Sequence, residues 1–134
     1  GGGGGGKILA SAHSNVATDN MMERLMRNGV RVVRIGRVST CAPTLQGNCL
    51  DALVEKDEGV KAARREVALA ELNSLNYTRT RADLEVQRER AALSILTACD
   101  VVVGSLVGSG HEATMLLMRE HGMAFHTVIA DEAS

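Results

Sequence analysis

Residues 125–134 read Phe-His-Thr-Val-Ile-Ala-Asp-Glu-Ala-Ser, an apolar run that delivers an acidic pair, Asp131-Glu132, and then two small residues. A strand covered on both faces is written as a continuous apolar run instead of an alternating one, which is the pattern of a buried parallel strand. An acidic pair at the carboxyl end of such a strand stands where open α/β sheets bind their ligands. Carboxylate oxygens suit Mg²⁺, which takes one or two of them and completes its shell with phosphate oxygens and water. Asp131 is therefore a candidate Mg²⁺ ligand, and Glu132 a candidate for orienting or deprotonating an attacking water. Acidic pairs at strand ends also arise by chance, so the rest of the chain has to supply the context.

Upstream, a helix is predicted from about His111 to His121, preceded by Asp100-Val101-Val102-Val103-Gly104, another buried-strand run. Near the start, Ile8-Leu9-Ala10 reads as a short strand, and Ser14 or Asn15 can cap a helix through Met21, Met22, Leu25 and Met26 to Asn28-Gly29. Asp19 is expected in that helix's first turn, where it suits the helix dipole. The β-branched stretch 30–35 ends at Gly36 and reads as a second strand. Residues 37–50, with the single proline Pro43, read as a loop. Alternating apolar strands and amphipathic helices predict an α/β fold with a parallel sheet flanked by helices and right-handed crossovers.

Between the two strand-helix-strand halves lies a charged insertion. Residues 51–90 hold nine acidic and eight basic side chains, with Val60, Ala63, Val67 and Ala70 at helical spacing. A break is predicted within 73–80, giving two helices able to pair antiparallel, the second running through Leu84, Ala91 and Ile95. Mixed signs at this spacing describe a solvated face. The domain reading is a glycine-rich lead-in over 1–7, a core from 8–36 and 99–134, and a loop plus helical arm over 37–98.

Composition removes several function classes. The 134 residues are 45% hydrophobic, enough for one domain core, and Tyr77 and Phe125 are the only aromatics, so aliphatic residues and Met must fill it. A net charge of −1 gives no global field for nucleic acid or anionic lipid, so any nucleic-acid contact must be local. Cys41, Cys49 and Cys99 form no CxxC pair and suit a reducing compartment. No stretch reaches the about 20 apolar residues of a membrane helix, and a soluble intracellular protein, nuclear or cytoplasmic, is expected.

Three polar clusters fall at predicted strand ends: 11–15, 104–110 and Asp131-Glu132. Ser14 and Asn15 could offer a phosphate group polar side chains and free helix amides, though ordinary N-capping accounts for them equally well. The run Gly104-Ser105-Leu106-Val107-Gly108-Ser109-Gly110 allows close backbone approach, or is only a tight turn before a helix. Gly1 to Lys7 satisfies GxxxxGK, but six glycines do so trivially, Ile8 stands where Ser or Thr should follow, and a strand begins there instead of a helix. That segment is read as a lead-in. His13 is given no role.

In order, ILASAHSNVATDN, VRVVRIG, the charged arm, DVVVGSLVGSGHE and FHTVIADEAS resemble the first RecA-like motor domain of superfamily 1 helicases of the nonsense-mediated-decay type. The resemblance implies a partial RecA-like P-loop NTPase domain. It implies that residues 12–20 correspond to a motif touching the backbone of single-stranded RNA or DNA, with Ser14 and Asn15 its main contacts. Ser105 and Gly108 fall in the next strand-contacting motif, with Ser at 105 where the family usually has Thr. Asp131 and Glu132 match the motif that binds Mg²⁺ and activates water for ATP hydrolysis, and the arm matches a helical insertion beside the channel.

The same resemblance expects the phosphate loop one helix before Ile8, and the γ-phosphate-sensing Gln and Arg in a second motor domain. The chain is accordingly expected to be a helicase fragment, inactive alone. The alternative is a degenerate, non-hydrolysing RecA-like domain that binds a protein through its helical arm.

Overall fold

The computed structural model describes residues 7–107 and 111–130. Four parallel strands form one sheet in the order β2-β3-β1-β4, with β1 at Lys7–Ala12, β2 at Val32–Arg34, β3 at Val101–Ser105 and β4 at Phe125–Ile129. β1 and β3 are paired from Ile8↔Val101 to Ala12↔Ser105, and β1 and β4 from Lys7↔Phe125 to Ser11↔Ile129. All four carboxyl ends therefore lie along one edge, as expected of a parallel sheet with helical crossovers.

The two-residue period of the strands divides the core into two layers. Leu9, Val33 and Val102 face one side, with Val54, Val60, Leu84, Leu96 and Met118 from the helices there. Ala10, Val32, Val101 and Val103 face the other, against Met22, Cys41, Leu45 and Cys49. The first side is covered by α2 (Leu50–Glu55), α4 (Leu75–Ala98) and α5 (Glu112–Glu120), with α3 (Glu58–Leu69) packed on α4. The second is covered by α1 (Asn15–Arg27) and the segment after β2. Val102 and Val103 are fully buried, so the triple valine fills both layers at once.

Differences from the sequence expectation are local. β2 is shorter than 30–35, and the predicted loop contains two 3-10 turns, Val38–Thr40 and Pro43–Asn48. The arm breaks at residues 70–74, mostly ahead of the predicted 73–80, because Ser74 accepts from the Tyr77 N–H at 3.0 Å and starts α4 there. Asn73 makes the turn at φ 64°.

Antiparallel packing of α3 on α4 is fixed by Arg90, which donates to Asp57 at 2.6 Å across the pair. Arg64 likewise holds Glu55 by two hydrogen bonds, at 2.5 and 2.6 Å. The arm's charges thus stitch helices together as well as meeting solvent. The Arg64 hydrogen bond holds the Glu55 carboxyl below its usual range. Asp57 is lowered first by the Val60 N–H that it caps and then by Arg90.

Lys7, the lysine of the GxxxxGK pattern, opens β1, and its ammonium donates to the carbonyls of Thr97 and Cys99 at the end of α4. Those are the orphan acceptors at the negative pole of a helix, a natural seat for a cation. Among the described residues no helix is long and apolar enough to cross a membrane.

Candidate functional site

Because β1 and β3 are neighbours, the loops that follow them meet at the sheet's carboxyl edge. After β1, Ser14 caps α1, accepting from the Ala17 N–H at 3.0 Å while its carbonyl accepts from the Thr18 hydroxyl at 2.7 Å. The capping expectation for Ser14 holds. Its hydroxyl hydrogen is still free to be donated, since the bond to Ala17 uses only a lone pair. At the end of β3, Ser105 is buried and accepts from the Val107 N–H at 3.2 Å. Asn15 and Ser105 line the same cavity of about 220 Å³, together with Arg34, Arg37, Thr40 and His111.

The cavity has a charged support that sequence reading missed. Arg34, at the end of β2, is 1% exposed and donates from Nη1 to Asp19 Oδ1 at 2.5 Å. Its Nη2 donates to Asn15 Oδ1 at 3.1 Å and reaches the Thr40 carbonyl at 3.5 Å. Asp19 Oδ2 in turn accepts from the Ala42 N–H at 3.1 Å. Asp19 is therefore not a first-turn dipole partner as expected: α1 starts at Asn15, which puts Asp19 in the second turn, facing Arg34. The available signal was an arginine inside the β-branched run Val32-Val33-Arg34-Ile35, where a buried charge needs a partner.

Arg37 stands on the cavity wall with no ion-pair partner among the described residues. Gly36 between it and Ile35 has φ +106°, a backbone that side chains rarely adopt, and so turns the chain sharply after β2. Beneath the ion pair, burial and a hydrogen bond to Cys49 push the Cys41 thiol up to about 12. His13 is exposed and outside the cavity.

β4 reaches the same edge, where the Ala130 N–H donates to the Ser11 carbonyl at 2.7 Å. Gly108, Asp131 and Glu132 lie outside the described residues. Among the described residues no group of three or more His, Cys, Asp or Glu could hold a metal ion. A Mg²⁺ held by one carboxylate, phosphate oxygens and water would need no such group.

A family profile described as an AAA domain matches residues 2–76. The chain belongs to this family, as a superfamily 1 helicase-like domain. Its four-stranded parallel sheet with flanking helices is part of a RecA-like α/β domain. Among its relatives is DNA-binding protein SMUBP-2 of Mesocricetus auratus, 28% identical over 96% of this chain and 14% of that protein. DNA polymerase alpha-associated DNA helicase A of Schizosaccharomyces pombe is 26% identical over 96% of this chain and 21% of its own length. Helicase sen1 of the same yeast is 36% identical over 52% of this chain and 4% of its own length. The chain thus spans about a fifth or less of each of these relatives.

Proposed function

We propose that this chain forms part of an ATP-dependent nucleic-acid helicase and that the carboxyl edge of its sheet grips one strand of RNA or DNA by the backbone. Ser14, Asn15, Ser105 and Gly108 are the proposed contacts, and Asp131 and Glu132 the proposed Mg²⁺ ligand and water-activating group. One observation carries the reading: Asn15, at the start of α1, and Ser105, at the end of β3, share one cavity whose wall also bears His111 and Arg37, the latter with no ion-pair partner among the described residues. Amide and hydroxyl donors beside a cation suit phosphate oxygens and carry no base information.

Carboxylate oxygens are the donor type Mg²⁺ selects, so Asp131 fits the ion that the family implies. When bound with ATP, the ion neutralises charge on the transferring phosphoryl group. The chain's own part would be to hold that ion through Asp131 and to place a water through Glu132. The alternative, a degenerate protein-binding module, gains nothing from relatives two of which are named as helicases.

Fluorescence anisotropy with labelled single-stranded oligonucleotides tests the reading. Sequence-independent binding is expected, weakening with salt at a log–log slope of about −0.7 per phosphate neutralised. Asn15→Ala should cost about tenfold in affinity, the worth of a hydrogen bond to a charged group. Strand-stimulated ATP hydrolysis should disappear in Glu132→Gln. Salt-independent binding, or wild-type affinity in Asn15→Ala, would refute the assignment of the edge.

A further inference from the structure

The structure assigns Arg34 and Asp19 as positioning residues for strand binding: their buried ion pair holds the Asn15 carboxamide by its oxygen, so that its amino group is presented to the cavity. This inference rests on the proposed function. Its geometry comes from three segments converging on one guanidinium.

A guanidinium has donors and no acceptor, so the Asn15 atom 3.1 Å from Arg34 Nη2 must be the carboxamide oxygen. The amide's orientation is decided by that neighbour. With the oxygen engaged, the two N–H groups remain, and Asn15 lines the cavity shared with Ser105. These are donors, which is what a phosphate oxygen requires.

Arg34 itself has little freedom. Asp19 takes Nη1 with one carboxylate oxygen and the Ala42 N–H with the other, which fixes the pair to the segment after β2. Ser14 fixes the backbone on the far side of Asn15 by capping α1. Burying an ion pair seldom stabilises a fold more than apolar residues of the same volume would, so its presence here calls for a specific use. A planar fork can serve Asp19 and Asn15 at once. A lysine ammonium, a single point of charge, cannot span both.

The test is a double-mutant cycle in single-strand affinity, read by anisotropy. Arg34→Lys keeps a cation beside Asp19 and removes the fork. It is expected to weaken binding about tenfold in the wild-type background and less than about twofold in the Asn15→Ala background, since residues in contact are non-additive. Equal losses in both backgrounds, or none in the wild type, overturn the inference.

If Arg34→Lys loses its cooperative melt, Asn15→Asp carries the test. A carboxylate still accepts from Arg34 but offers no donors, so wild-type thermal stability with loss of strand binding is expected. Retained binding, or a melting temperature lowered as far as in Asn15→Ala, overturns it. Failure of the wild-type protein to bind any strand removes the proposed function and this inference together, whereas an additive cycle in a protein that binds removes the inference alone.

Discussion

Removing the Asp19 carboxylate should damage the fold far more than an exposed acid would. In Asp19→Ala, Arg34, 1% exposed in the native fold, is left among the described residues with neutral acceptors alone, Asn15 Oδ1, the Thr40 carbonyl and the weak Met22 Sδ, and the Ala42 N–H loses its acceptor. Breaking a buried pair by deleting one partner costs about 3–5 kcal/mol. The orphaned amide adds about 1 kcal/mol, at the low end because it is only partly shielded from water. Against a total stability of about 5–15 kcal/mol, this leaves the domain marginal. A loss of 4 kcal/mol corresponds to a fall of about 12 °C in Tm at this size, taking about 3 °C per kcal/mol. Urea titration followed by far-UV circular dichroism measures the loss directly, provided the m-value is unchanged. The double variant Asp19→Leu with Arg34→Met should lose less than Asp19→Ala alone, because no charge is then buried without a partner. A loss below about 1 kcal/mol in Asp19→Ala would mean that Arg34 reaches water or another acceptor, so that the ion pair does not support the cavity.

Two further predictions concern pH. Burial raises all three thiols, Cys41 to about 12, so the native protein should resist alkylation by iodoacetamide at pH 8, whereas the urea-unfolded chain reacts fully. The unfolded thiols ionise near the ordinary value of 9.0 and the folded Cys41 near 12, so its contribution is complete below pH 9 and is lost as pH rises toward 12. Melting curves at pH 8 and pH 10.5 check this, and a higher Tm at pH 10.5 would contradict it. At the acid end, Asp100 is held low by the Arg31 hydrogen bond, Asp57 by the Val60 N–H and Arg90, and Glu55 by Arg64. Depressed carboxyls stabilise above the ordinary carboxyl range, and that contribution disappears as pH falls through their folded values. All three are solvent-accessible pairs, so raising salt to 0.5 M should flatten the acid limb of the stability curve, with a Debye length then of about 4 Å.

The strands were legible because each is an apolar run bounded by turn residues. Val101-Val102-Val103 could be nothing else, since three β-branched residues in succession fit a strand covered on both faces. Their order in the sheet was not legible. Whether β1 neighbours β3 or β2 depends on how the crossovers pack, and neither choice leaves a mark within a single strand. The cap at Ser14 could be read from local chemistry, because it involves residues three apart. Arg34 could not be given its role, because its partners Asp19 and Asn15 lie fifteen and nineteen positions away and meet it only through the β1–α1–β2 turn. The arm's helices followed from spacing, but their cross-links did not: Glu55 to Arg64 and Asp57 to Arg90 depend on which helix faces which.

The end of β1 is tied on both sides, and this bears on how the proposed site would work. The Ser11 carbonyl accepts from the Ala130 N–H on the β4 side at 2.7 Å, and the Ala12 carbonyl accepts from the Leu106 N–H on the β3 side at 2.8 Å. Ala130 directly precedes Asp131, and Leu106 directly follows Ser105. Between these bonds and the Asn15 carboxamide lie only two residues, His13 and the capping Ser14. Under the proposed function, a shift of the strand against Asn15 and Ser105 would reach the start of the acidic segment through backbone hydrogen bonds with no flexible side chain in series. Packed, hydrogen-bonded elements pass such displacements on as whole units because they cannot deform gradually. The Arg34 fork extends that rigid unit to the Asn15 side chain, which lines the cavity. If strand binding and hydrolysis are coupled in this protein, the coupling should therefore weaken when Arg34 no longer holds Asn15, even where Asp131 and Glu132 are untouched.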